Sequence, residues 1–176
     1  MIITAGRFKG QKITAPDENI TRPTLSKVRM SVFNTLFSLI GDFDGRSFLD
    51  MFGGSGIMGL EALSRGFEKV RVFEKNRTVA DIIKSNYKTL GLEPDIYTGD
   101  SLNLIKKQTE AFDVIYIDPP YESGIYENVL EHIKTCELMR NSVIVVEINS
   151  EIDFDGFEVI KQKKYGDKYI SFIKTI

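Results

Sequence analysis

An acid, two prolines and a tyrosine, Asp118-Pro119-Pro120-Tyr121, stand directly after the apolar run 112–117. Proline has a fixed φ and no backbone N–H, so this turn holds carbonyls and a carboxylate rigidly with few donors among them. Acceptors without donors suit an NH2 group, and the ring of Tyr121 suits stacking on a base plane. The constellation predicts a flipped-out nucleobase with an exocyclic amine, with Asp118, Pro119, Pro120 and Tyr121 at the reacting edge. The same tetrapeptide, taken alone, also reads as a rigid strand exit.

A second cluster lies some sixty residues earlier. Phe48-Leu49-Asp50-Met51-Phe52-Gly53-Gly54-Ser55-Gly56-Ile57-Met58-Gly59 is an apolar strand with an acid at its end, a glycine-rich turn and the start of a helix. This is a ligand loop at the carboxyl edge of a sheet. Two cofactors compete for it. Gly54-x-Gly56-x-x-Gly59, with Glu74 twenty residues after Gly54, matches the dinucleotide fingerprint. A methyltransferase loop uses the same residues, with Asp50 facing the cofactor and Glu74 accepting from the ribose hydroxyls. Gly99-Asp100-Ser101 adds an acid on the same rim, as an acceptor for an adenine amine or as a helix N-cap. Hydride transfer has no use for the tetrapeptide at Asp118, which favours the methyltransferase reading.

The elements that must position these groups follow from periodicity. From Leu25, the residues Val28, Val32, Phe33, Leu36, Phe37 and Ile40 recur at helical spacing, with Thr24 as N-cap and Gly41 beyond the end. Then come strand 47–52, helix 57–65, strand 69–73, helix 78–90, strand 96–98, helix 102–109, strand 112–117, helix 125–136 and strand 142–147. Two runs, 157–162 and 168–173, flank Gly166-Asp167 and read as a closing antiparallel hairpin. This βαβα alternation predicts a parallel sheet covered on both faces. Residues 1–176 read as one domain, with residues 1–23 a hairpin or extended arm appended to a core over 24–176.

The chain has 176 residues, 42% of them hydrophobic and 27% charged, enough for one cored domain. No apolar stretch is long enough to span a bilayer, and the N-terminus lacks a secretory pattern, so a cytoplasmic protein is expected. A single cysteine, Cys136, precludes an internal disulfide, and a lone His132 outside every motif argues against His-based metal or triad chemistry. The net charge of −2 is uneven: residues 1–30 carry six basic and two acidic side chains. The arm therefore reads either as solvated surface or as a phosphate-contacting footprint of Arg7, Lys9, Lys12, Arg22 and Arg29.

With Asp50-x-Phe52-x-Gly54-x-Gly56, Glu74, Asp100 and Asp118-Pro119-Pro120-Tyr121 in order, the chain resembles class I methyltransferases acting on amino nitrogens. Thr21-Arg22-Pro23-Thr24, Val28-Arg29, Phe33-Asn34, and Gly59-Leu60-Glu61-Ala62-Leu63-Ser64-Arg65-Gly66 narrow this. Together with the start Ile3-Thr4-Ala5-Gly6-Arg7-Phe8-Lys9-Gly10 and the end Gly166-Asp167-Lys168-Tyr169, they resemble the RsmD family of bacterial small-subunit rRNA guanine-N2 methyltransferases. Gly53 departs from the alanine usual there, and Tyr121 from a frequent phenylalanine.

The resemblance implies a Rossmann-like α/β fold: a seven-stranded, mostly parallel sheet with an antiparallel last strand. It implies S-adenosylmethionine as methyl donor and guanine N2 of 16S rRNA, in the small ribosomal subunit or its assembly intermediate, as acceptor. The methionine end would lie over Asp50, Met51, Phe52, Gly53, Gly54, Ser55 and Gly56, the ribose at Glu74 and Lys75, and the adenine near Asp100 and Ser101. The basic arm becomes an RNA contact, and the enzyme is expected to be a monomer with no resident metal. Adenine-N6 methylation of DNA or RNA, and an NAD-linked oxidoreductase, are the alternatives.

Overall fold

The computed structural model describes residues 1–17, 25–120, 124–150 and 152–176. Its elements run α1 (Ser26–Ile40), β1 (Ser47–Asp50), α2 (Ile57–Ser64), β2 (Lys69–Glu74), α3 (Arg77–Thr89), β3 (Asp95–Thr98), α4 (Ser101–Ile105), β4 (Val114–Ile117), α5 (Ile125–Thr135), β5 (Val143–Ile148), β6 (Phe157–Tyr165) and β7 (Lys168–Thr175), with a 3-10 turn over Glu137–Met139. They form one sheet of order β3-β2-β1-β4-β5-β7-β6. β1 to β5 pair in parallel; β7 runs antiparallel between β5 and β6. The strand order reverses between β1 and β4, so the helices following these two strands leave on opposite sides and open a crevice at their carboxyl ends.

Alternation along the strands divides the core in two. Phe48, Val70, Val72, Val114, Tyr116, Val143 and Val145 pack against α1, α2 and α3. Leu49, Phe73, Ile115, Ile117, Ile144 and Val146 pack with α5 residues such as Val129 and Ile133. Both faces are covered, which is why β4 and β5 are apolar along nearly their whole length. In α3 the buried residues Val79, Ala80, Ile83, Asn86 and Tyr87 share one helical face, and the Asn76 side chain caps the helix by accepting from Val79 N–H at 3.2 Å.

Several boundaries differ from the sequence reading. The N-cap position of α1 is Leu25, which offers no capping side chain, and Thr24 lies outside the described residues. Phe37, expected on the buried face of α1, is 58% exposed, although its ring meets Phe43 edge-on. α4 ends at Ile105 rather than Thr109, and the closing hairpin strands run longer than predicted.

The N-terminal arm is no appendage. Ile2 and Lys12 form an isolated antiparallel bridge, and Ile3 and Ile13 enter the core beside α1. Burying two such side chains stabilises the arm by roughly 1.5–3 kcal/mol each. Glu61 of α2, fully buried, accepts from the Thr4 and Ala5 amides and from the Thr4 hydroxyl, and Ser64 Oγ accepts from Phe8 N–H. Gly6 makes this approach possible: its φ is +79°, and a Cβ there would overlap the Ser64 carbonyl.

Arg29 completes the clamp, and the expectation that it contacts RNA is corrected. It is 2% exposed, donates from Nη2 to the Ile2 carbonyl at 2.7 Å, and lies 3.7 Å from the Glu61 carboxylate. Burial lowers its affinity for its proton, and Glu61 opposes that. A guanidinium enclosed in this way holds the arm to α1 and α2 and cannot reach a phosphate.

Candidate active site

Asp50 ends β1 and is 1% exposed. One carboxylate oxygen accepts from Phe52 N–H at 3.3 Å; the other is buried with no hydrogen-bond partner. Burial pushes this carboxyl up to about 7; the Phe52 amide opposes the shift and the charge of Glu74 adds to it. An orphaned buried carboxylate oxygen at a ligand loop asks for a cation or a donor. The ammonium and sulfonium groups of S-adenosylmethionine meet that demand, so the residues fit this cofactor.

The loop after Asp50 is tied to the neighbouring elements by a set of hydrogen bonds. Met51 N–H donates to the Tyr116 carbonyl at 3.0 Å, its own carbonyl accepts from Ser101 Oγ at 2.6 Å, and Gly53 N–H donates to the Phe73 carbonyl at 2.7 Å. The Met51 side chain is buried in the core, so only its backbone borders the crevice. Phe52 is half-buried, and Ser55 is buried with its Oγ accepting from Ile57 N–H. A Cβ at Gly53 would come within 2.5 Å of Val72 Cγ1, so here glycine serves the close packing of loop on strand.

Glu74 ends β2 half-buried; its two oxygens accept from Gly54 N–H at 2.8 Å and Asn76 N–H at 2.7 Å. Each oxygen has a lone pair to spare, so the carboxylate braces the loop and still offers acceptors to a ribose. Lys75 beside it is exposed. Asp100 is exposed and caps α4, accepting from Asn103 N–H at 3.0 Å, while Ser101 is buried and committed to the Met51 carbonyl. The structure thus gives Ser101 a bracing position and shows the capping reading of Asp100 in place.

Across the crevice, Asp118 follows β4, with Pro119 buried and Pro120 exposed; Tyr121 lies outside the described residues. Burial pushes the Asp118 carboxyl up to about 8; the charge of Glu147 adds, Lys168 opposes, and Asp50 adds again. The sequence reading gives Glu147 no role, and Lys168 only a place in the motif Gly166-Asp167-Lys168-Tyr169. One signal was present: Glu147 is an acid inside the otherwise apolar run 143–148. Of the basic set, Arg7, Lys9 and Lys12 are exposed, Arg7 lying over the Phe8 ring, while Arg22 lies outside the described residues.

Comparison with known proteins bears on this arrangement. The family described as Conserved hypothetical protein 95 matches residues 1–174. Ribosomal RNA small subunit methyltransferase D of Haemophilus influenzae is 32% identical over 175 residues, covering 93% of this chain and 88% of that protein. The chain belongs to the RsmD family. The Escherichia coli K12 protein of the same name is 28% identical, covering 86% of this chain and 75% of that one. A solved structure from Haemophilus influenzae superposes with a TM-score of 0.76 at 29% identity, covering 99% of this chain and 98% of that one. The RsmD-family chain thus has the Rossmann-like methyltransferase fold that its strand order describes. Among its described residues, no helix is long and apolar enough to cross a membrane.

Proposed function

We propose that this chain methylates the exocyclic N2 of a specific guanine in 16S rRNA, using S-adenosylmethionine, within the small ribosomal subunit or its assembly intermediate. The observation that carries the reading is the pair of carboxylates, Asp50 buried and Asp118 half-buried, at the adjacent carboxyl ends of β1 and β4. The orphaned oxygen of Asp50 suits a cation, and the donor-poor turn at Asp118 suits an amine. When bound, S-adenosylmethionine supplies an electrophilic methyl carbon.

This chain's residues do the rest. Asp50 pairs with the cofactor's positive charge, Glu74 accepts from the ribose, and the backbone of 51–56 lies along the methionine end, with Lys75 and Asp100 at the outer rim. Asp118 and the Pro119 carbonyl accept the two amine hydrogens, which turns the nitrogen lone pair out of conjugation with the ring and toward the methyl. Asp118 then takes the proton that the nitrogen loses. Pro120 keeps the turn rigid, Tyr121 stacks on the base, and positioning supplies most of the acceleration. Arg7, Lys9, Lys12 and Arg22 contact RNA phosphates. The enzyme works in the cytoplasm as a monomer and needs no metal.

Adenine-N6 methylation is the second reading, because the same acceptors suit that amine. An NAD-linked enzyme is disfavoured: a pyrophosphate at the glycine-rich loop would face Asp50 and Glu74. The test is transfer of labelled methyl to unmodified small subunits and to naked rRNA, with nucleoside analysis. N2-methylguanosine is the expected product. N6-methyladenosine, in these RNAs or in duplex DNA offered beside them, would select the second reading, and no transfer to any of the three, with cofactor binding intact, would reject both.

A further inference from the structure

Glu147 is 1% exposed near the end of β5, where every neighbour along the strand is apolar. A carboxylate in that position needs partners, and it has them. Tyr116 of β4 donates its hydroxyl to Oε2 at 2.6 Å, Lys168 at the start of β7 donates its ammonium to Oε1, and the Tyr126 hydroxyl of α5 donates to the Glu147 carbonyl at 2.9 Å. The same Lys168 Nζ stands 3.9 Å from Asp118 Oδ2. The pairing of β5 with β7 fixes this meeting. Glu147 lies opposite Ile170 and Ile148 opposite Tyr169, which leaves Lys168 at the strand end, on the rim where β4 delivers Asp118.

We propose that Lys168 is a positioning residue for methyl transfer: seated on the buried Glu147, it orients Asp118 and favours the ionised form that accepts from the substrate amine. The inference rests on the reading of Asp118 as that acceptor. Without Lys168, Asp118 and Glu147 are like charges in a desolvated site, with Asp50 on β1 adding a third; the neighbours Tyr116 and Tyr126 bring hydroxyls and no positive charge. One carboxylate of such a group takes up a proton. A protonated Asp118 carries a donor where an acceptor is required, and the amine loses its orientation.

Lys168 and its partner Glu147 give opposite signs, which a merely structural role would not. Lys168→Met leaves Glu147 unscreened and makes Asp118 harder to ionise. Glu147→Gln removes the repulsion and leaves Lys168 to Asp118, making it easier to ionise. The experiment follows the Asp118 carboxyl resonance of 13C-labelled, ligand-free protein against pH, assigned by its loss in Asp118→Asn, beside the pH profile of kcat/KM for methyl transfer.

In Lys168→Met both midpoints should rise by about one pH unit or more, a tenfold change in proton affinity, so that turnover at pH 7 falls about tenfold and recovers as pH rises. Lys168→Arg should restore both, and Glu147→Gln should move both downward. An Asp118 midpoint that is the same in Lys168→Met as in the parent protein overturns the inference alone. A midpoint that moves while the rate profile stays overturns the reading of Asp118, and the inference with it. If Lys168→Met does not fold, the downward shift in Glu147→Gln decides: its absence overturns the inference.

Discussion

Replacing Asp50 by Asn should make the ligand-free protein more stable and the cofactor complex weaker. Asp50 is buried with one oxygen unpartnered, and its carboxyl is pushed from the ordinary 3.8 up to about 7. The folded value is the higher one, so folding takes up a proton between the two values. The stability associated with the protonated group is full below about pH 4 and is lost as pH rises through about 7. A rise of about three pH units corresponds to roughly 4 kcal/mol at pH 8, and water entry on ionisation reduces this to about 2–4 kcal/mol. Asn keeps the shape and the acceptor for Phe52 N–H without the charge.

The ligand-free variant should therefore gain that amount at pH 8, raising Tm by roughly 4–15 °C for a domain of this size. The gain should roughly halve by pH 5. Calorimetry at the two pH values, with and without S-adenosylmethionine, reads both effects, because a ligand that binds only the folded state raises Tm by mass action. A variant no more stable than the parent at pH 8, or one that keeps the full cofactor-dependent rise in Tm, would refute the assignment of Asp50 as the cation's partner.

Other perturbations separate the remaining roles. Asp118→Ala should lower kcat by about a hundredfold or more with cofactor affinity intact, and Glu74→Ala should chiefly weaken cofactor binding; calorimetric titration beside a methyl-transfer assay distinguishes them. Replacing Arg7, Lys9 and Lys12 by Gln should reduce the salt dependence of RNA binding by about two to three in log-log slope while cofactor affinity holds. Glu61→Ala leaves Arg29 buried without its carboxylate and should destabilise by about 3–5 kcal/mol in a denaturant melt. Gly6→Ala forces a Cβ onto the Ser64 carbonyl at a positive φ. It should free residues 1–13 to proteolysis and cost about 2–4 kcal/mol.

The chain by itself determined the sheet, its two covered faces and the placing of Asp50, Glu74 and Asp118 at strand ends. Apolar runs, glycine turns and the proline pair are local signals, and a parallel sheet converts chain order into neighbouring strand ends with little freedom. The tertiary structure alone decided how the charges are used. Arg29 reads as one more cation of a basic arm, yet it meets Glu61 and the Ile2 carbonyl inside the fold. Ser101 reads as a rim hydroxyl, yet it is committed to Met51, fifty residues away. The meeting of Asp118, Glu147 and Lys168 depends on β7 returning antiparallel to β5 in one register. A shift of one residue would turn Lys168 to the other face of the sheet. Periodicity reports which face a residue takes on its own element; it carries no information about which charge, from another element, arrives beside it.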